Sequence, residues 1–199
     1  MGLVFFEPET LMTYRIAVLV GSLRRDSFNK QLAGALAKLA PREVEFVPVR
    51  IDDLPLYNQD DDANQAQAVR RLKNDIAQAQ GVLFVTPEYN RSMPGVLKNA
   101  IDHASRPYGQ SAWGGKPAAV IGISVGAIGT AIAQQHLRNV LAYLDMPTLG
   151  QPEMFLQNKP GLFIEGGEIG NEETKQFLQK FVERFAQFVR EHSDRVANR

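Results

Sequence analysis

The sequence predicts an α/β protein: a doubly wound, five-stranded parallel sheet with helices on both faces. Three observations carry this. Short apolar runs of strand length, bounded by glycine or proline, alternate with longer segments of helical spacing. The order is strand, helix, strand, helix, which favours parallel strands joined by crossover helices. The polar, Gly- and Ser-containing loops after strands one, three and four would all open at the carboxyl edge of such a sheet, where open α/β sheets bind ligands.

The elements follow in order. Ile16-Ala17-Val18-Leu19-Val20 is a compact apolar run, and the strand it belongs to begins at about Tyr14. Lys30 to Leu39 reads as a helix and Val44 to Val49 as the second strand. Ile51 to Asn64 is a turn-rich polar loop. Ala66 to Gln80 has helical spacing, with Val69, Leu72, Ile76 and Ala79 on one face. Residues 82 to 86, Val-Leu-Phe-Val-Thr, lie between Gly81 and Pro87 and form a buried third strand. Gly95 to Ser105 is a helix, Ala118 to Ser124 the fourth strand and Thr130 to Leu144 the next helix. Thr148 to Gln151 opens a short fifth strand. Asn171 starts the last helix, with Phe177, Phe181, Phe185, Phe188 and Val189 expected to face the core.

With 199 residues and no linker or repeat, the chain reads as one domain over residues 14–199. Residues 1–13 form an N-terminal extension, disordered or loosely docked, with Met12 as an alternative start. They lack the basic start and long apolar centre of a signal peptide. No segment approaches the ~18 consecutive apolar residues of a membrane span. Lys plus Arg and Asp plus Glu are 22 each, a balance that points to neither a nucleic acid nor a membrane partner. Cysteine is absent, which excludes disulfides, thiol catalysis and a cysteine-ligated metal, and fits a cytoplasmic location.

Two loops carry the chemistry. Gly21-Ser22-Leu23-Arg24-Arg25-Asp26-Ser27-Phe28-Asn29 lies between a strand and a helix. It offers backbone N–H groups, hydroxyls, an amide and a helix N-terminus, the parts of a phosphate cradle, with Arg24 or Arg25 adding a charge-assisted contact. It has neither the Gly-Lys-Ser/Thr end of a P-loop nor the G-x-G-x-x-G glycines. A hydroxyl-rich loop suits a terminal phosphate monoester better than a buried pyrophosphate. An ordinary strand-to-helix turn with an N-cap serine fits the same residues. The second loop, Pro87-Glu88-Tyr89-Asn90-Arg91-Ser92-Met93-Pro94-Gly95, runs into Val96-Leu97-Lys98-Asn99-Ala100-Ile101-Asp102.

With these two motifs the sequence resembles the low-molecular-weight NAD(P)H-dependent FMN reductases, in their bacterial quinone and chromate reductase branch. Gly115-Lys116-Pro117 through Ser124-Val125-Gly126-Ala127-Ile128-Gly129 also fits, and the similarity covers about residues 14 to 190. The resemblance implies a flavodoxin-like fold and non-covalent FMN. It further implies NAD(P)H as co-substrate, a small-molecule acceptor such as a quinone, chromate, an azo or nitro compound or free flavin, and ping-pong kinetics. In it, Ser22, Arg24, Ser27 and Asn29 hold the FMN phosphate, helped by the Phe28 N–H. Pro87, Glu88, Tyr89 and Asn90 lie along the isoalloxazine, mainly through backbone atoms. Ser124, Gly126 and Gly129 line its other edge and the nicotinamide entrance. It also implies a homodimer or homotetramer, with the Leu97–Ile101 and Thr130–Leu144 helices as contact surfaces.

No catalytic side chain is nominated, because hydride transfer to a flavin needs stacking geometry more than an acid or base. No metal site is expected. His103, His136 and His192 are far apart, and Asp60-Asp61-Asp62 lacks the glycine and distal glutamate of a calcium loop. Structural readings stand beside the functional ones: Glu88 as a helix-terminus or interface charge, Tyr89 as a packed rim aromatic, Ser124 and Gly126 as turn residues. Trp113 fits a cover of the site mouth or an interface anchor. The chain departs from many relatives at Arg91, where they carry Tyr, and at Thr130, where they carry a second Gly. Arg91 would add positive charge at the mouth, favouring anionic acceptors or the NADPH 2′-phosphate. Two other readings remain at this point, an electron-carrier flavodoxin and a flavin-free regulatory module on the same fold.

Overall fold

The computed structural model describes residues 13–197. Residues 1–12, and with them nearly all of the expected N-terminal extension, lie outside the described residues. The chain runs β1 (Tyr14–Val20), α1 (Phe28–Lys38), β2 (Val44–Pro48), a 3₁₀ turn (Gln59–Asn64), α2 (Gln67–Ala77), β3 (Gly81–Val85) and α3 (Gly95–Ala104). It continues with β4 (Ala118–Ser124), α4 (Ala131–Tyr143), β5 (Phe155–Gln157), a second 3₁₀ turn (Glu165–Gly167) and α5 (Glu172–Ala197). All four strand pairings are parallel, and the order across the sheet is β2-β1-β3-β4-β5.

Strand alternation divides the core into two layers. Ile16 and Val18 of β1, Leu83 and Val85 of β3, and Ala119, Ile121 and Ile123 of β4 face α1 and α5. Ala17 and Leu19, Val82 and Phe84, and Ala118 and Val120 face α2, α3 and α4. β3 is buried at all five positions, as a central strand covered on both faces must be. The expected apolar face of α2 is buried as a unit, Val69, Leu72, Ile76 and the following Ala79.

Four expectations are corrected. The fifth strand is Phe155–Gln157, paired with Gly122–Ser124, not Thr148–Gln151. Thr148 makes only an isolated bridge to Ala118. Pro147 and Pro152 bracket that stretch, and proline has no N–H to extend a ladder. On α5, Phe181, Phe185 and Val189 are buried with Leu178 and Val182, whereas Phe177 is exposed. At about 100° per residue, Phe177 sits roughly 80° from Phe185 on the side away from Val182 and Val189, outside the buried arc. Trp113 is neither a mouth cover nor an interface anchor. It is fully buried, its indole N–H donates to the Ile101 carbonyl at 3.0 Å, and its ring centroid lies 5.8 Å from that of Phe84. On α3, Leu97 and Ile101 are core residues, so their side chains form no subunit contact. The polar loop before α2 also holds more order than expected, with Asn58 accepting from the Asp60 N–H at 3.2 Å to start a 3₁₀ turn.

Candidate cofactor-binding site

The strand order reverses direction between β1 and β3, the topological switch point of a 2-1-3-4-5 sheet; the handedness of parallel crossovers then sends α1 and α2 to opposite faces. The loops after β1, β3 and β4 therefore meet at one carboxyl edge. These loops and the ends of the elements that flank them carry all twelve residues expected at the site.

In the first loop the Gly21 N–H is held by the Val85 carbonyl at 2.9 Å, which seats the loop against β3. Ser22 and Ser27 are buried, while Arg24 is exposed. Ser27 is the N-cap of α1, its side chain accepting from the Lys30 N–H at 3.4 Å. The N–H groups of Phe28 and Asn29 then stand at the open, positive end of the helix. Arg24 lies over the Phe28 ring, with Cζ 4.9 Å from the centroid, and donates to the Asp26 carbonyl. Lys30, absent from the expected set, braces the loop by donating to the Leu23 carbonyl at 3.2 Å.

Asn29 departs from its expected role as a phosphate ligand. Its Nδ2 donates to the Ile123 carbonyl at 2.9 Å, and its Oδ1 accepts from the Ile123 N–H at 3.1 Å. The side chain is thus a two-point clamp between α1 and β4, and it positions the loop rather than reaching into it. Asn29→Ala would leave two buried backbone groups unpaired, so stability should fall by about 2–4 kcal/mol, read as a lowered denaturant midpoint of the cofactor-free protein. An unchanged midpoint would mean that the clamp is dispensable.

In the second loop Pro87 is buried, and its carbonyl accepts from Thr86 Oγ1 at 2.8 Å. Tyr89 and Ser92 exchange both backbone hydrogen bonds at 3.0 Å, with Asn90 and Arg91 between them at φ 51° and 63°. This is the signature of a tight type I′ turn, for which Asn is well suited and Arg is not. The turn presents the half-exposed Tyr89 ring at the rim. Glu88 points the other way, with Oε2 accepting from the Ile132 and Ala133 N–H groups at 3.0 and 3.1 Å. The helix-terminus reading of its side chain is therefore the one the geometry carries. Arg91 Nη1 sits 3.5 Å from Glu88 Oε1, so its charge is partly matched.

In the third loop Ser124 Oγ donates to the Gly129 carbonyl at 2.6 Å and accepts from the Gly126 N–H at 3.2 Å. Gly129 has φ +60° and lies against the backbone of Phe155 and Leu156, while Gly126 is exposed. Thr130 is fully buried, its hydroxyl accepting from Gln134 Nε2 at 2.9 Å, and Gln134 Nε2 also donates to the Met154 carbonyl at 2.7 Å. The i, i+4 spacing of Thr130 and Gln134 was visible in the sequence. The Glu88 cap and the Lys30 brace join residues brought together by the fold or the loop, and no local pattern marks them.

These parts fit FMN. A helix N-terminus with two hydroxyls and a guanidinium suits a phosphate dianion. The two loops across the edge offer backbone groups for a flat heterocycle. Other groups lie elsewhere. His103 is nearly buried and contacts the Pro55 carbonyl at 2.9 Å, and His192 Nδ1 lies 2.8 Å from the Phe188 carbonyl on α5. Among the described residues no three His, Cys, Asp or Glu side chains are grouped to hold a metal. A cavity of about 730 Å³ opens between α1 and β2 and shares only Ser22 and Leu23 with the loops. Its floor is apolar (Val18, Ala33, Phe46), and no residue of the loops after β3 and β4 lines it. We place the chemistry at the loops for that reason.

The model of the family described as NADPH-dependent FMN reductase matches residues 14–161. A 2-hydroxy-1,4-benzoquinone reductase of a Burkholderia species is 59% identical over 180 residues, covering 90% of this chain and 98% of the relative. A quinone reductase of Escherichia coli K12 is 40% identical, covering 88% and 95%. Among solved structures, the flavoenzyme NAD(P)H:(acceptor) oxidoreductase of Paracoccus denitrificans superposes with a TM-score of 0.88 at 47% identity, covering 90% and 99%. A Pseudomonas aeruginosa flavodoxin, at 18% identity and a TM-score of 0.57, shares the fold.

Proposed function

The chain belongs to the NADPH-dependent FMN reductase family, and on that premise we propose that it is an FMN-dependent oxidoreductase carrying electrons from NAD(P)H to quinones. The observation that carries this reading is the convergence of three loops around the open N-terminus of α1 at the strand-order reversal. Bound FMN would supply the electron chemistry, accepting a hydride from the nicotinamide and passing electrons to the acceptor.

The chain's own residues bind and orient. Ser22, Ser27 and Arg24 would hold the phosphate, with the Phe28 and Asn29 N–H groups of α1. Pro87, Glu88, Tyr89 and Asn90 would meet one edge of the ring through their backbone, and Ser124, Gly126 and Gly129 the other. No side chain at this edge is assigned a proton-transfer role. A single open face would serve donor and acceptor in turn, which gives ping-pong kinetics. Chromate, azo and nitro compounds and free flavin are further acceptors such a face would admit, and Arg91 at the mouth would favour anionic ones.

We place the enzyme in the cytoplasm as one domain over residues 14–199; among the described residues no helix is long and apolar enough to cross a membrane. We also read it as a homodimer or homotetramer with the site at a subunit contact. Exposed Val125 and Ile128 at the mouth and exposed Tyr143 on α4 support that reading.

The test is anaerobic. The purified protein should be yellow, NADH or NADPH alone should bleach it, and a quinone should restore the colour. A yellow protein bleached only when a separate reductase is added would make it an electron carrier. A colourless protein that takes up no FMN would overturn the reading.

A further inference from the structure

We propose that Glu88 is a positioning residue that couples the two loops facing the cofactor, by capping α4 from a different loop. Its role toward the cofactor rests on the FMN reading above. The coupling itself does not.

α4 has no local cap. Its N-cap residue is Thr130, whose side chain makes no capping bond, because the hydroxyl is turned inward to Gln134. A helix start left so would expose unpaired N–H groups and positive partial charge. Glu88 fills the vacancy from 44 residues away, its carboxylate taking both the Ile132 and Ala133 N–H groups. Only 9% of the Glu88 side chain is exposed, so these are sheltered, charge-assisted bonds. A second tie lies one helical turn further on, where His136 Nδ1 is 3.0 Å from Ser92 Oγ. The Tyr89–Ser92 turn is stiffened internally by its paired backbone bonds. It is thus pinned to α4 at two points.

The other side of the joint is equally short. Thr130 directly follows Gly129, and the Gly129 carbonyl is held by Ser124 Oγ. Glu88 therefore links Tyr89 and Asn90 on one side of the site to Ser124–Gly129 on the other through a few bonded groups. Two consequences follow. The loops open or close together rather than singly. The α4 N-terminus is already neutralised by a carboxylate of the chain itself, which removes it as an anion site at this edge.

Glu88→Ala and Glu88→Gln test this. In cofactor-free protein, amide hydrogen exchange in Glu88→Ala should quicken at Ile132 and Ala133 and, in concert, at Tyr89 and Ser92. Glutamine keeps an acceptor of the same reach, so protection should largely return. With FMN bound, Glu88→Ala should weaken affinity about tenfold, and Glu88→Gln by less. Glu88→Gln should also move the FMN midpoint potential in the positive direction, since losing a sheltered negative charge beside the site eases the addition of electrons. A carboxylate too remote from the ring to act on it would leave that potential unmoved. Faster exchange confined to Ile132 and Ala133 overturns the coupling, and an unshifted potential in Glu88→Gln overturns the role toward the cofactor. Should the alanine variant fail to fold, the glutamine potential decides. If the wild type takes up no FMN, the functional reading fails while the exchange result still decides the coupling.

Discussion

Replacing both Arg24 and Ser27 with alanine is expected to weaken FMN binding by about 2–6 kcal/mol, since each hydroxyl or guanidinium contact to a phosphate contributes about 1–3 kcal/mol. The geometry separates this loss from unfolding. Arg24 is exposed, and its bond to the Asp26 carbonyl and its position over Phe28 are local to the loop. An exposed cation–π contact is worth about 0.5–1 kcal/mol. Ser27 has a second duty as the cap of α1, but the capping bond is long at 3.4 Å, so its removal should cost the fold no more than about 1 kcal/mol. The double variant should fold, with a slightly lower midpoint, and titrate with FMN far more weakly by fluorescence quenching. A double variant that keeps FMN through dialysis as well as the wild type would show that the phosphate does not sit at the α1 N-terminus.

The sequence exposes this site unevenly, and the reasons are physical. The strand-loop-helix punctuation around Gly21–Asn29 and Pro87–Gly95 is local, so the three loops could be placed at one edge before any coordinates. β1, β3 and β4 were legible for a related reason: each is a dense apolar run, and β4 falls at Ala118–Ser124 as read. β5 was misplaced because it is only three residues long, half-buried and without alternation, while the Thr148 stretch looked equally strand-like. What stayed hidden is long-range. The amide of Asn29 looked like a ligand because nothing in the sequence shows Ile123 beside it. Glu88 was expected along the flavin mainly through its backbone, and its carboxylate could be read as a helix-terminus or an interface charge. Only the fold brings Ile132 and Ala133 within 3.1 Å of it. Trp113 looked exposed because its neighbours are Gly, Ser and Pro, yet the loop folds it onto Phe84.

Gly129→Ala and Gly126→Ala should give opposite phenotypes, although both glycines belong to the same loop. At Gly129 the backbone is left-handed, with φ +60°, where a β-carbon costs about 1–2 kcal/mol. That carbon would also fall 2.7 Å from the Phe155 carbonyl carbon and 2.9 and 3.0 Å from Leu156 N and O. These are backbone atoms of β5 and cannot swing aside, so overpacking adds about 1–3 kcal/mol. The total, about 2–5 kcal/mol, should appear as a large fall in the unfolding midpoint or as loss of soluble protein. At Gly126 a β-carbon would meet only Ser124 Oγ, at an ordinary 3.5 Å, so stability should stay within about 0.5 kcal/mol. If this loop borders the nicotinamide entrance, Gly126→Ala should instead lower kcat/KM for NAD(P)H at unchanged stability, because the added methyl group projects from an exposed turn of that loop. Thermal melts of the two cofactor-free variants and NAD(P)H half-reaction kinetics of Gly126→Ala separate the effects. Equal melting losses in both would mean that the loop is only a structural turn. A Gly126→Ala enzyme with unaltered kinetics would move the entrance away from it.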